Sequence, residues 1–301
     1  MTPDPLPLWH RRLRQIAYLL LRAVGIRSVK VRVRGRPLWI DLRDTTLGRY
    51  FWVFRTYEPF EAELIERAAQ TGMTAVDIGA NVGYLTVLLG HRVGAAGNVI
   101  AFEPDPTNFA LLERSVEANL LTNVTCEQAA VMGSTSTASL YLSGVNFGDH
   151  RVFDAKDDEQ FNAGAPRARV EVRAVSLDDY LGRDGIANPG LIKMDIQGAE
   201  VAALPGMQRA LSHPDVVLFC EFWPYGLRRS GADPRQFLNS LTGLGLELFE
   251  IDEASQSILA VDPKELSERY PDLGMTNLVG CHPVRKKTLF ESLGVPVGRR
   301  P

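Results

Sequence analysis

The sequence has few cysteines and lacks a long apolar segment. Its three cysteines, Cys126, Cys220 and Cys281, each lie in an apolar, strand-like stretch. This usage excludes a disulfide framework and a C-x-x-C metal site, and it is typical of a reduced cytosolic protein. No apolar run reaches the roughly 18 residues that a membrane-spanning helix needs, and the proline-rich start has no basic flank with a cleavage site. We therefore expect a cytoplasmic protein.

The chain also lacks a strong charge of either sign. Lysine and arginine number 33 against 36 acids, a net charge of -3. Such a balance supplies no global attraction to a phosphate backbone, so we expect no nucleic-acid partner. With 301 residues, 45% of them hydrophobic, the chain can bury a sizeable core, and small molecules become the expected substrates.

Acidic residues are missing from one segment altogether. Residues 11–36 hold nine lysines and arginines and no acid. This combination is typical of a helix that lies on an anionic membrane, as a peripheral protein of the inner membrane surface, or on a partner protein. The alternative is an ordinary docking helix with a solvated basic face. The apolar residues that recur here at helical spacing are Trp9, Leu13, Ile16, Ala17, Leu20, Leu21 and Val24.

The segments that follow predict an α/β fold. Residues 29–42 alternate around a glycine as a β-hairpin does, and from residue 74 onward strand and helix patterns repeat. This repetition predicts a mostly parallel sheet with helices on both faces and the last strands antiparallel. We divide the chain into an N-terminal helix, hairpin and lead-in (1–58), a main domain (59–285) and a C-terminal tail (286–301).

A polar insertion at about 132–175 interrupts this rhythm. It contains Gly133, Gly144, Gly148 and Gly164. Its length predicts a functional loop or a small extra hairpin, which we expect to shape the site of the second substrate.

The first strand and helix of the repeat are joined by a distinctive turn, VDIGANVG. Gly79 permits a tight bend and close approach of a ligand, and Gly83 lets the next helix pack closely. A dinucleotide fingerprint would require glycine where Asn81 stands, so a pyrophosphate is disfavoured. The pattern suits instead an amino-acid group held by Asp77 and by free N–H groups of a helix that begins near Asn81.

The next strand ends in Glu103, about 20 residues after Gly83. A carboxylate at this place can accept hydrogen bonds from both hydroxyls of a ribose. Ribose together with an amino acid, and without pyrophosphate, describes S-adenosylmethionine. The alternative is that Asp77 and Glu103 merely cap helices.

At these residues the sequence resembles the FkbM-type S-adenosylmethionine-dependent methyltransferases. The matching segments are VDIGANVGYLT (76–86), IAFEPDPTNFALLERSVEANL (100–120), VSLDDYL (175–181) and LIKMDIQGAEVAALPGM (191–207). The resemblance spans roughly residues 57–222 and implies a seven-stranded Rossmann-like sheet. It also implies O-methylation of a hydroxyl on a secondary metabolite, sugar or glycan, with residues 59–285 as the methyltransferase domain.

We assign the cofactor site to the turn, the two strand ends and the residues around them. The set is Tyr57, Asp77, Gly79, Ala80, Asn81, Gly83, Tyr84, Glu103, Pro104, Asn108, Ala129, Ala130 and Asp195.

Three residues are candidates for the catalytic step. Asp195 ends the fourth strand and should reach the methyl group, but an unperturbed aspartate is a weak base. His150 lies in the insertion, and its unperturbed pKa of about 6.5 suits proton abstraction, although a loop histidine is often merely exposed. Glu200 begins a helix, where capping competes with the catalytic role that the family resemblance suggests.

A metal site is a further alternative. Asp195 and Glu221 end neighbouring strands, and together they offer two carboxylates for Mg²⁺. Otherwise Glu221 pairs with a base such as Lys193. Two ligands are few for a metal ion, so we favour a metal-free site.

Other functions fit the sequence less well. The missing second glycine disfavours a nicotinamide oxidoreductase, and DIQGAE replaces the Asn/Asp-Pro-Pro-aromatic turn of nucleic-acid base methyltransferases. A non-catalytic binding module, recruited through the basic helix, has no reason to keep three acids at one cleft. The sequence leaves the oligomeric state open, a homodimer included.

Overall fold

The apolar runs of the repeating region form strands of one large sheet. The computed structural model describes residues 7–154, 167–183, 186–270 and 273–298. Its strands, in chain order, are β1 Ser28–Val33, β2 Arg36–Asp41, β3 Thr74–Ile78, β4 Asn98–Phe102, β5 Val124–Glu127, β6 Ala130–Val131, β7 Ser136–Leu142, β8 Ala168–Val175, β9 Leu191–Met194, β10 Val217–Phe222, β11 Glu247–Asp252, β12 Ser257–Ala260, β13 Thr276–Cys281 and β14 Val297–Gly298.

Helices connect these strands. They are α1 Leu8–Ala23, α2 Leu47–Phe54, α3 Pro59–Ala68, α4 Tyr84–Val93, α5 Pro106–Ala118, α6 Leu177–Arg183, α7 Glu200–Ala203, α8 Gln208–Leu211, α9 Pro224–Arg229, α10 Pro234–Gly243, α11 Pro263–Arg269 and α12 Pro283–Leu293, with a 3₁₀ turn at Leu204–Gly206.

The main sheet has the order β14-β12-β11-β13-β10-β9-β3-β4-β5. Strands β5, β4, β3, β9 and β10 run parallel, and β13 lies antiparallel between β10 and β11. The late hairpin of β11 and β12 lies towards one edge, as predicted. The sheet has nine strands rather than the expected seven, because β12 and β14 extend it beyond β11.

Both faces of this sheet are covered. In β10, Val217 and Phe219 belong to one hydrophobic core, while Leu218 and Cys220 belong to another. Successive side chains of a strand point to opposite faces, so one apolar run supplies both cores. The result is the predicted Rossmann-like α/β fold, with all three cysteines free and in strands.

The N-terminal elements also form as predicted. Strands β1 and β2 pair antiparallel around Arg34 and Gly35, whose φ angles of 47° and 81° match a two-residue hairpin turn of type I′. Helix α1 packs beside α2 through the buried Tyr18. No helix of the described segments combines the length and the apolar character that crossing a bilayer requires.

The insertion forms a small second sheet of order β6-β8-β7, in which β7 and β8 make the expected extra hairpin. Residues 155–166, and with them Gly164, lie outside the described residues. The segment that we expected to be a C-terminal tail is instead part of the fold up to residue 298. Leu289 and Leu293 of α12 are buried in the core, and β14 pairs with β12, because their apolar side chains complete the sheet edge.

Candidate active site

A cleft opens at the carboxyl ends of β3, β4, β9 and β10, where ligands bind in open parallel sheets. Its cavity volume is about 230 Å³. Of the residues we assigned from the sequence, Gly83 and Glu200 are not among those that line it. The assigned residues that do line it are Tyr57, Asp77, Gly79, Ala80, Asn81, Tyr84, Glu103, Pro104, Asn108, Ala129, Ala130, His150, Asp195 and Glu221.

The glycines of the turn after β3 allow close packing, and Gly79 also lines the cavity. Gly79 has φ +80°, and a Cβ there would lie 2.0 Å from the backbone oxygen of Asp195. Gly83 has φ +90°, and its Cβ would lie 2.8 Å from Leu112 Cδ1 of helix α5. The two glycines therefore let the ends of β3 and β9, and helices α4 and α5, approach each other closely.

The amide groups of the turn are used within the protein. Helix α4 begins at Tyr84, not near Asn81, and Asn81 has a left-handed backbone with φ 51°. The Asn81 N–H donates to Glu103 Oε2 at 2.8 Å. Our prediction that this N–H is free for an anionic ligand is therefore wrong for the structure as it stands.

Glu103 is held by the backbone immediately after β4. Its Oε2 accepts from Asn81, its Oε1 accepts from the Asp105 N–H at 2.9 Å, and it is 5% exposed. Burial raises the pKa of Glu103 to about 8. A carboxylate oxygen can accept two hydrogen bonds, so each oxygen keeps one place for a hydroxyl of a ligand.

The insertion covers this side of the cleft. The Phe147 carbonyl accepts from the side-chain amides of Asn81 at 3.1 Å and Asn108 at 2.8 Å. Asn108 Oδ1 is buried and has no partner among the described residues. We expected the insertion to shape the acceptor site, and in the structure its segment 146–150 lines the cavity on the side of Asn81 and Asn108.

His150 lies in the same region. Its Nδ1 accepts from the Ser143 N–H at 3.0 Å, and its Nε2 lies 3.8 Å from Asp105 Oδ1. Burial lowers the pKa of His150. His150 and Asp195 both line the cavity, His150 beside Asp105 of the segment after β4 and Asp195 at the end of β9.

A second acidic region lies at the ends of β9 and β10. Lys193 Nζ lies 3.5 Å from Asp195 Oδ2, and Gln197 Nε2 donates to Asp195 Oδ1 at 2.7 Å and to Glu221 Oε2 at 3.0 Å. The Asp195 side chain is 34% exposed, which makes it the accessible carboxylate of the group. Burial raises the pKa of Glu221 well above its usual range.

The start of helix α3 adds two more acids. Asn277 Nδ2 donates to Glu58 Oε2 at 3.2 Å, and the first N–H groups of α3 donate to the Glu253 carboxylate. Burial raises the pKa values of both Glu58 and Glu61. The two carboxyl groups share a hydrogen bond, which requires a proton on one of them. Burial, and then the charges of Glu58 and Asp195, raise the pKa of Tyr57.

Lys193 is surrounded by these acids. Burial lowers its pKa, but Asp195, Asp77 and the glutamates of α3 outweigh burial and raise it above the ordinary value. Lys193 is the one lysine or arginine among the described residues that line the cavity. Asp77 accepts from Thr86 Oγ1 at 2.6 Å, while its Oδ1 is buried without a partner in the described part of the chain.

Glu200 acts on the loop after β9 and not on the cavity. Its Oε1 accepts from the N–H groups of Ile196 at 3.2 Å and Gly198 at 3.3 Å, and the residue is 1% exposed. Burial raises its pKa to about 7. The structure thus places this catalytic candidate behind the loop that carries Gln197.

The two carboxylates suggested for Mg²⁺ are joined by an amide. Gln197 bridges Asp195 and Glu221, and Lys193 contacts Asp195 rather than Glu221. Across residues 7–154, 167–183, 186–270 and 273–298, no group of three or more His, Cys, Asp or Glu side chains is placed to hold a metal ion.

Sequence reasoning missed Glu61 and Gln197. Gln197 has a left-handed backbone with φ 54°, an unfavourable conformation that non-glycine residues keep mainly at functional sites. The sequence offered one signal for Gln197, namely its position two residues after the predicted site residue Asp195. Glu61 had no such signal, because a glutamate in the first turn of a helix is ordinary.

The residues on the Glu103 side fit an adenosine group. The buried carboxylate, the Asn108 oxygen without a partner and the apolar walls at Ala129 and Ala130 match a ribose and a base. The acids on the other side of β3 match a cationic group. The switch point of a Rossmann-like sheet is the place where open α/β folds bind nucleotide cofactors, so the fold and the site define a nucleotide-cofactor-binding protein.

The family model "Methyltransferase FkbM domain" matches residues 77–243, more than half of the chain. The chain belongs to this FkbM methyltransferase family.

Known relatives are distant. Methyltransferase 1 of Beauveria bassiana (strain ARSEF 2860) is 25% identical over 143 residues, 44% of this chain and 57% of the relative. The 31-O-demethyl-FK506 methyltransferase FkbM of Streptomyces tacrolimicus is 26% identical over 160 residues, 46% of this chain and 61% of the relative. The matches therefore span little more than half the length of these relatives.

Among solved structures, Methyltransferase FkbM from Methylobacillus flagellatus KT is similar at 18% identity and a TM-score of 0.43. The match covers 77% of this chain and 52% of that one.

Proposed function

We propose that the chain uses S-adenosylmethionine to methylate a hydroxyl group of a small molecule or glycan. The observation that carries the proposal is the pairing of two acidic regions across one glycine turn. Glu103 lies on one side of β3, and Asp195 with Glu221 lies on the other. A ligand with a ribose at one end and a positive charge at the other satisfies both regions.

Each part of the cofactor has residues to hold it. Glu103 would accept from the ribose hydroxyls, Asn108 and the two alanines would contact the base, and Asp77 would face the amino-acid end. When bound, S-adenosylmethionine supplies an electrophilic methyl group on a sulfonium. The insertion, held to Asn81 and Asn108 by the Phe147 carbonyl, would exclude water from this end of the cofactor.

The acceptor lies at the other end, between α3 and the ends of β9 and β10. An aliphatic hydroxyl must lose its proton as it attacks, and Asp195 is the accessible carboxylate that can take it. Lys193 and Gln197 hold this carboxylate in place. Oxygen as the methylated atom is supported by the relative whose substrate, 31-O-demethyl-FK506, is named for an unmethylated oxygen.

Calorimetric titration of the purified protein tests the proposal. S-adenosylmethionine and S-adenosylhomocysteine should bind in the micromolar range, NAD should not bind, and each titration is run with and without Mg²⁺. Release of S-adenosylhomocysteine then reports on a panel of hydroxylated acceptors. A folded protein that binds neither adenosyl ligand would disprove the proposal and favour a non-catalytic binding module.

A further inference from the structure

The outward face of helix α1 is apolar. Trp9, Leu13, Ile16 and Leu20 are 58%, 55%, 54% and 62% exposed, and their spacing of three and four residues places them on one stripe of the helix. An exposed apolar stripe on a folded protein marks an interaction surface. The stripe is widened by Leu8, Leu19 and Val24.

The helix is held in this orientation by specific contacts on its opposite face. The Tyr18 hydroxyl is buried and donates to the carbonyls of Leu42 and Asp44, each at 2.9 Å. Arg14 donates to the Val53 carbonyl at 2.9 Å, and Trp52 donates to the Arg14 carbonyl at 2.6 Å. Helix α1 is therefore docked on its own domain through this face, while its other face leaves the apolar stripe in solvent.

The charge around the stripe selects its partner. In the described chain no acid occurs before Asp41, and no ion pair joins the exposed basic residues of this region to an acid of the described residues. Two copies that met through this face would bring like charges together, which disfavours a symmetric dimer. An anionic surface is favoured instead. The exposed basic residues are Arg12, Arg22, Arg27, Lys30 and Arg32.

We propose that helix α1 docks the protein on an anionic lipid bilayer. The stripe inserts at the level of the headgroups, with Trp9 near one end and Leu20 near the other, and the basic residues contact lipid phosphates. The helix lies parallel to the membrane plane and does not span it. This inference is independent of the methyl donor and of the acceptor.

Cosedimentation of the full chain with vesicles tests the inference. The vesicles contain phosphatidylcholine alone or mixed with phosphatidylglycerol. We expect binding to the mixed vesicles only, and weaker binding as salt is added. Ile16→Gln with Leu20→Gln should reduce partitioning by at least about tenfold, because two side chains no longer leave water. The double change Arg12→Glu with Arg27→Glu should abolish binding to the mixed vesicles.

Leu120→Gln is the matched control, because Leu120 is 86% exposed but lies outside α1. Its binding should equal that of the wild type, and circular dichroism should show all variants folded. Three results would overturn the inference: no vesicle binding by the wild type, equal binding to neutral vesicles, or a dimer in size-exclusion chromatography that the Ile16 and Leu20 changes dissociate without any vesicle binding.

Discussion

Glu103 has the most specific environment of any residue in the cleft. Two backbone N–H groups orient its carboxylate, and one acceptor position remains on each oxygen. We expect Glu103→Ala to weaken S-adenosylmethionine binding by about 1–3 kcal/mol, the range for leaving buried hydrogen-bond partners unsatisfied. Calorimetry measures the change. Glu113→Ala, at an exposed position of helix α5, is the control. If the variant and the wild type bind S-adenosylmethionine with equal affinity, Glu103 does not bind the ribose.

Asp195 should distinguish the two adenosyl ligands. S-adenosylmethionine carries a sulfonium charge that S-adenosylhomocysteine lacks, and a carboxylate near the sulfur favours the charged ligand. Asp195→Asn should therefore weaken S-adenosylmethionine binding more than S-adenosylhomocysteine binding. Titration of both ligands into both proteins gives the two ratios. A loss of equal size for the two ligands would place Asp195 away from the sulfur.

Unlike Asp195, His150 should affect the binding of the two adenosyl ligands equally. It lies in the insertion, accepts from the Ser143 N–H and lies beside Asp105, on the Glu103 side of the cleft. His150→Ala should loosen the loop and weaken both adenosyl ligands by the same factor. If the variant binds both normally but loses turnover once an acceptor is known, His150 returns as the catalytic base that its sequence position suggested.

At the level of elements, the turn after β3 depends on glycine for a reason internal to the protein. Gly79→Ala would put a methyl group 2.0 Å from the Asp195 carbonyl in a backbone with φ +80°. The backbone conformation alone costs about 1–3 kcal/mol, so we expect a clear loss of thermal stability without any ligand. Gly243→Ala is the control, because no atom lies within 4 Å of its Cβ position. A stable Gly79→Ala protein would show that the strand ends can separate.

Much of the fold follows from local patterns. Apolar runs and glycine turns predict the strands, the hairpin and the α/β class, because they depend on neighbours in the chain. The last strand, β14, and the ordered C-terminal helix α12 were not predicted, since their order comes from packing against distant strands.

The candidate site was predictable where one segment carries it. Asp77 lies near the end of β3, Glu103 and Asp195 follow β4 and β9, and parallel strands bring their ends together. Glu61 reaches the site only because Glu253, far along the chain, holds the start of α3. The orientation of α1 was likewise not predictable from the sequence. The helical spacing of apolar residues gives a stripe, but it does not tell whether that stripe faces the protein or the solvent.

At the scale of the whole molecule, the buried acids make stability depend on pH. Burial raises the pKa values of seven carboxyl groups above their ordinary range, so the folded protein holds protons that the unfolded chain has released. The seven are Asp44, Glu58, Glu61, Asp77, Glu103, Glu200 and Glu221.

This excess of bound protons in the folded state determines the direction in which the free energy of unfolding changes with pH. Where the folded state binds more protons than the unfolded state, the free energy of unfolding falls as pH rises. For Glu103, the free energy of unfolding starts to fall above the ordinary glutamate pKa of 4.5 and stops falling above the raised pKa of about 8. We call this pH range the window of decreasing stability. Lys193, whose pKa is raised, keeps its stabilising charge throughout this window.

The thermal midpoint of the ligand-free protein should therefore fall by a few degrees between about pH 6 and about pH 8.5. Glu103→Gln removes one titrating carboxyl and should flatten the slope near its pKa of about 8. Glu113→Gln, at an exposed position, should leave the slope unchanged. Scanning calorimetry over this range measures all three proteins. A midpoint that rises with pH would mean that the acids are ionised in the folded protein, and the cleft would then be a solvated, strongly negative site that attracts cations before any ligand binds.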